Sequence, residues 1–144
     1  MLHRDTFVGR DRAALECIEA RGSVEQPSAE YPFILMTGRS LYQFNAGTMT
    51  GRTSNNDLRP TDVLEISPAD ANEANLTDGD LVRVTSRHGS TVLPVQMSAG
   101  MRRGQLYATF QRPDLAVNAV TGPHRDATVG TPAYKVTGVS ITRT

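Results

Sequence analysis

The chain lacks the features that small scaffolds use as staples and that nucleic-acid proteins use as footprints. It carries one cysteine, Cys17, so neither an internal disulfide framework nor a multi-cysteine zinc site can form. Tryptophan is absent and aromatic residues make up 6%, so a base-stacking platform would be thin. Basic and acidic side chains number fifteen each. The resulting balance excludes the footprint of a general DNA binder, and no nucleic-acid partner is expected. No apolar run approaches the roughly 18 residues of a membrane span. The opening Met1-Leu2-His3-Arg4-Asp5 leads into no apolar signal core, so a cytoplasmic home is the default expectation. The histidines and Cys17 are scattered without paired ligand spacing, so no protein-ligated metal is expected. His88, beside Gly89, reads as a solvated hairpin tip, and Cys17 as a free thiol.

What is present suits one soluble domain. At 144 residues the chain can bury about two-thirds of its unfolded surface without cross-links. Residues 10–20 read as a short helix, or as a strand followed by a polar linker. Residues 22–30 are small, polar and proline-containing, which reads as a linker. Beyond them, short apolar strands alternate with Gly, Pro, Asn and Asp clusters. Strands are expected at Phe33–Thr37, Val63–Ile66, Leu81–Arg87, Thr91–Met97, Gln105–Phe110 and Tyr134–Ile141. The pair flanking His88-Gly89 is the clearest hairpin, and Pro94 argues for an edge or a bulge in its return strand. Ser67-Pro68-Ala69-Asp70 predicts a short helix, with Ser67 as N-cap and Pro68 at its first position. The pattern as a whole favours a small β-barrel.

The loop 38–60 is long and has few apolar anchors, which marks it as the first place to look for a site. No phosphate-binding loop of the G-x-x-x-x-G-K-S/T type and no dinucleotide G-x-G-x-x-G follows a strand. Thr37-Gly38-Arg39-Ser40 nevertheless follows one directly. Glycine lets a backbone approach an anion, Arg39 offers a guanidinium fork, and the hydroxyls add donors. Gly47-Thr48-Met49-Thr50-Gly51-Arg52 repeats that chemistry. The plainer reading of these residues alone is a glycine-rich turn with solvated hydroxyls.

Five stretches in order resemble a known family. They are Tyr31–Arg39, Asn45–Thr50, Val63–Ala71 with Asp78–Ser90, Val117–Thr121 and Pro132–Val136. Together they are similar to the C-terminal molybdopterin-dinucleotide-binding domain of the bis-pterin molybdenum and tungsten oxidoreductases, most of all that of formate dehydrogenase large subunits. The resemblance spans residues 31–142. It implies a mainly β fold, a six-stranded double-psi β-barrel with a few short helices, over residues 30–144. Residues 1–29 would be the run-in from a preceding domain, with Phe7–Ala13 as its strand. It implies binding of the molybdopterin guanine dinucleotide part of a bis-MGD cofactor. Thr37, Gly38, Arg39, Ser40, Leu41, Tyr42 and Gln43 would line the pterin and dinucleotide. Gly47, Thr48 and Thr50 would donate to phosphates or pterin edges. Asn118, Tyr134 and Lys135 would meet the pterin or a phosphate, and Phe110 and Gln111 would face the substrate funnel. The metal's own ligand and the catalytic residues are expected in upstream domains, so the isolated chain should not catalyse. Other domains of the enzyme are the expected partners, and an exposed apolar face could drive self-association. Gln43, Asn45, Gln111 and Ala133 differ from common residues of the family, which bears on the substrate.

Other readings remain at this point. The parent could be a nitrate reductase of the same superfamily. The barrel could be a non-catalytic protein- or peptide-binding adaptor, which predicts that Arg39, Asn118 and Lys135 are dispersed. It could also be a self-processing decarboxylase cleaved at Gly22-Ser23 or Gly89-Ser90.

Overall fold

Alternation decides which side of each strand is buried. In Leu81–Ser86, Val82, Val84 and Ser86 are buried while Leu81 and Arg83 face solvent. In Ser90–Met97, Thr91, Leu93 and Val95 turn inward. The structure is a computed structural model and describes residues 4–5, 9, 12 and 14–144. Most of the expected run-in strand Phe7–Ala13 lies outside the described residues. The helix or strand expected over 10–20 is absent from 14–20, which have no regular secondary structure.

Six strands form a closed barrel. They are β1 (Phe33–Gly38), β2 (Leu64–Ile66), β3 (Leu81–Ser86), β4 (Ser90–Met97), β5 (Gln105–Thr109) and β6 (Thr137–Arg143), arranged around the barrel as β1-β5-β2-β4-β3-β6. Two pairs are parallel, β1 with β5 and β2 with β4, and the antiparallel β2–β5 pair joins them. This is the double-psi arrangement. Leu35, Leu64, Ile66, Val82, Val84, Leu93, Leu106 and Val139 fill the interior with no solvent exposure. The helices are short: α1 (Asn55–Leu58), α2 (Pro68–Glu73) and three 3-10 turns. Ser67 caps α2 by accepting from the Asp70 amide at 3.1 Å. Among the described residues, no helix is long and apolar enough to cross a membrane.

Two expectations shift. β4 is not an edge strand, because it lies between β3 and β2. Pro94 is tolerated because pairing with β2 begins only at Val95, so its missing N–H leaves no gap in that ladder. The last strand begins at Thr137, three residues later than the sequence suggests. Tyr134 and Lys135 form a turn instead, and the Tyr134 carbonyl accepts from the Thr37 hydroxyl at 2.7 Å.

The Thr77–Asp80 turn fastens the barrel's far end. Asp80 accepts from the Thr77 amide at 2.8 Å and its hydroxyl at 3.0 Å, and from Arg143 at 2.8 Å. The Thr77 bonds, then the Arg143 charge, hold the Asp80 carboxyl below its usual range against a burial cost. A carboxyl lowered on folding stabilises the fold above its unfolded pKa, and that contribution disappears as pH falls through the lowered value. Asp80→Asn should therefore flatten the acid limb of a stability–pH profile measured by urea unfolding, with its largest effect near neutrality. An unchanged acid limb would contradict this assignment.

Candidate functional site

Parallel pairing sets the site's location. Gly38 lies beside Thr109, so β1 and β5 leave the barrel at the same end. The antiparallel β2 starts there, with Leu64 opposite Ala108, and so does β6, with Thr137 opposite Leu35. The segments 39–63 and 110–136 therefore crowd one end of the barrel.

A buried carboxylate organises that end. Asp62 is fully buried. It accepts from the Thr109 hydroxyl, from the Gln111 amide at 3.1 Å and from the Arg112 amide at 2.8 Å. Gln111, 3% exposed, donates its side-chain amide to the Arg59 carbonyl at 2.8 Å and accepts from Ser40 at 2.8 Å. Its carbonyl fixes the residue at 47. A Cβ on Gly47 would meet that oxygen at 2.6 Å, and Gly47 has φ +66°, so both space and backbone demand glycine. The loop is braced from within as well. Gln43 accepts from Thr50 and donates to Asn56, Thr50 accepts from the Phe44 amide, Asn55 donates to the Tyr42 carbonyl, and Arg39 donates to Asn45 at 2.8 Å.

Two cavities open on this scaffold. One, about 400 Å³, lies between Gly47, Thr48 and Arg52 on one side and Gln111, Arg112 and Pro113 on the other, above Gln43 and Asn56. The second, about 490 Å³, lies between Arg39, Asn45 and Ala46 and a wall of Phe110, Asn118 and Tyr134, with Arg125 at its edge. Residues 45–48 and 110–111 separate them. Both volumes suit a small-molecule site. Phe110 meets Tyr134 edge-on at 6.4 Å, and the Arg39 guanidinium lies 6.0 Å from the Phe110 ring. Among the described residues, Arg39, Arg52, Arg125 and Lys135 have no carboxylate ion pair, whereas Arg112 is paired with Asp114 at 2.9 Å. Arg39, Arg52 and Arg125, which line the two cavities, are therefore guanidinium groups without a carboxylate partner, a chemistry that suits phosphate groups.

The expected residues divide into three groups. Arg39, Gln43, Gly47, Thr48, Asn118 and Tyr134 line a cavity, as do Phe110 and Gln111. Thr37, Ser40, Gln43 and Thr50 have their side chains bonded to other parts of the chain. Leu41 and Tyr42 are exposed, and so is Lys135, which is in neither wall and holds its ammonium 6.0 Å from the Tyr134 ring. Gly38 has a plain packing reason, because a Cβ there would run into the Tyr107 ring, with Cε2 at 2.8 Å. Burial, then Glu65, pushes the Tyr107 phenol pKa up. It stays protonated and donates to the Arg39 carbonyl at 3.0 Å. Sequence reasoning missed Asp62, Asn56, Arg112 and Arg125. Arg52 stands out in sequence as the end of the second glycine–hydroxyl–arginine run, and Asn56 lies in the loop singled out as the place to look. Asp62, Arg112 and Arg125 are brought in by topology.

The comparisons agree with this geometry. The family model described as "Molydopterin dinucleotide binding domain" matches residues 33–138. The alpha subunit of a formate dehydrogenase from Methanocaldococcus jannaschii is 32% identical over 99% of this chain and 22% of its own length. The periplasmic nitrate reductase of Desulfovibrio desulfuricans is 30% identical over 90% of this chain and 17% of its own. Among solved structures, acetylene hydratase from Pelobacter acetylenicus superposes with a TM-score of 0.69 at 18% identity, covering 79% of this chain and 18% of that one. The chain thus spans about a fifth of the length of these relatives.

Two substitutions test the scaffold. Asp62→Ala removes a buried acceptor and strands two amides, which should cost about 3 kcal/mol and lower the thermal midpoint by roughly 10 °C. Gly47→Ala should destabilise by about 1–2 kcal/mol from the left-handed backbone alone, more with the Gln111 clash. Calorimetry on both variants checks this, and near-native midpoints would refute it.

Proposed function

Because the chain belongs to the Molydopterin dinucleotide binding domain family, we propose that its concave end holds the molybdopterin guanine dinucleotide of a bis-pterin molybdenum or tungsten cofactor. The observation that carries this is that Arg39 and Asn118 line one cavity, next to the first cavity that Gly47 and Thr48 border. The adaptor reading disperses Arg39, Asn118 and Lys135; here two of the three meet, and Lys135 stays outside both cavities. The donor set fits the group: guanidinium forks and backbone amides for phosphates, and side-chain amides and hydroxyls for ring edges. When bound, the group supplies two-electron redox chemistry at its metal.

In this reading Arg39 and Thr48 hold phosphate, with Gly47 giving the backbone its close approach. Asn118 and Tyr134 bind and orient the pterin. Lys135 neutralises charge at the rim. Gly38, Ser40, Gln43, Thr50 and Thr37 hold the walls in place. Phe110 and Gln111 border the substrate side. The parent enzyme oxidises formate to carbon dioxide, supported by the matching motif stretches and by the formate dehydrogenase relative. A nitrate reductase is the second reading, supported by the Desulfovibrio relative. Residues 1–29 are the run-in from a preceding domain, residues 30–144 are the barrel domain, and the remaining domains of the enzyme are its partners. Leu41, Phe44, Met49 and Leu58, all exposed on the site loop, are the surface those domains would cover.

The test is titration of the 144-residue chain with molybdopterin guanine dinucleotide, followed by pterin fluorescence. One saturable equivalent is expected. Arg39→Ala and Asn118→Ala should each weaken binding at least about tenfold, or ~1.4 kcal/mol, while Cys17→Ser leaves it unchanged. Non-saturable binding, or a double variant that binds like the parent, would overturn the proposal.

A further inference from the structure

Beside the second cavity, whose lining includes Gly122 and Arg125, three residues from distant parts of the chain meet. Glu25 comes from the N-terminal segment, His88 from the β3–β4 turn and His124 from the segment before β6. Glu25 is 7% exposed. Its Oε1 lies 3.2 Å from His88 Nε2 and 3.4 Å from His124 Nε2. The three donor atoms lie within 4.8 Å of one another. From the geometry we infer that Glu25, His88 and His124 form a binding site for a zinc-class divalent cation, which fastens the N-terminal segment to the barrel.

Four features suit a metal at this point. First, metal–ligand bonds of 2.0–2.1 Å in a tetrahedron place neighbouring donor atoms about 3.3–3.4 Å apart, and both measured separations are close to this. Second, both rings offer the same nitrogen to the same carboxylate oxygen, so two imidazoles and a carboxylate converge on one point. Third, the other carboxylate oxygen is already held, by Arg87 at 3.1 Å and by the Gly138 amide at 3.3 Å. Such bonds orient a ligating carboxylate. Fourth, Gly122 leaves room at the donor atoms. A Cβ there would come within 2.8 Å of His88 Nε2 and 3.1 Å of His124 Cδ2. Its φ lies outside the left-handed region, so the glycine supplies space and not conformational freedom.

The rings are also accessible, with the His88 side chain 22% and the His124 side chain 36% exposed. A cation can enter, and a water can complete its shell. The net charge is favourable too. The Glu25 carboxylate opposes the charge of a dication, and the Arg87 charge is directed at the other carboxylate oxygen and over the Tyr31 ring, 4.7 Å from its centre. Residues 14–24 have no regular secondary structure of their own, so a cross-link at Glu25 is where the segment would be fixed.

The test uses the chelator-treated 144-residue chain and zinc or cobalt ion alone. Calorimetric titration should show one saturable equivalent, and cobalt should give the visible bands of a tetrahedral site. Glu25→Gln, His88→Asn and His124→Asn should each weaken binding at least about tenfold. Cys17→Ser and His3→Asn should not. Zinc should slow amide exchange over residues 22–29 in the parent chain and fail to do so in His124→Asn. Absence of saturable binding would overturn the site, as would binding that survives the triple variant or depends on Cys17 or His3. Should His88→Asn misfold by circular dichroism, X-ray absorption of the cobalt-loaded parent decides. Two imidazoles without sulfur support the site, and sulfur in the shell refutes it.

Discussion

The concave end depends on one buried charge. Asp62 sits with no solvent exposure just before β2 and gathers three donors from the end of β5 and the residues after it. A carboxylate in such a place is tolerable only when its lone pairs are occupied. That demand fixes the chain at 109–112. Gln111 is fixed with it, and then Gly47, Ser40 and the Arg59 carbonyl fall into place. The two cavities are what this bracing leaves open. The loop that looked unanchored in sequence is anchored by polar bonds in place of apolar packing.

Local chemistry made much of the fold legible. Val82 and Val84 alternate with Leu81 and Arg83, and the hairpin follows. Ser67 before Pro68 caps α2 where capping rules place it. The order of the strands was not legible from pattern, since no local signal pairs β1 with β5; the family resemblance gave the barrel type, and the structure gives the order. Pro94 shows the limit of a local rule. The sequence suggests an edge, but a stagger between neighbouring strands protects it within a closed barrel.

The site was half legible for the same reason. Glycines and hydroxyls in short runs announced 37–40 and 47–52. Their individual duties could not be read, because a threonine that meets a ligand and one that braces a loop are alike in sequence. Thr37, bonded to the Tyr134 carbonyl, is the second kind. Asp62 carried no signal at all, being one acidic residue between a threonine and a valine. The histidines were judged by spacing along the chain, and His88 lies 63 residues from Glu25. Only the closed barrel brings them together.

Closure itself has a temporal cost. The first strand finds its antiparallel neighbour in the last, Phe33 opposite Val139, and its parallel neighbour in the fifth. Nearly every residue must therefore be available before β1 can be paired on both sides. Such long-range pairing slows folding, because loop entropy is lost before contacts repay it. On a ribosome, β1 would wait with one edge bare until β6 had emerged. Closure of the barrel is thus timed by β6, Thr137–Arg143.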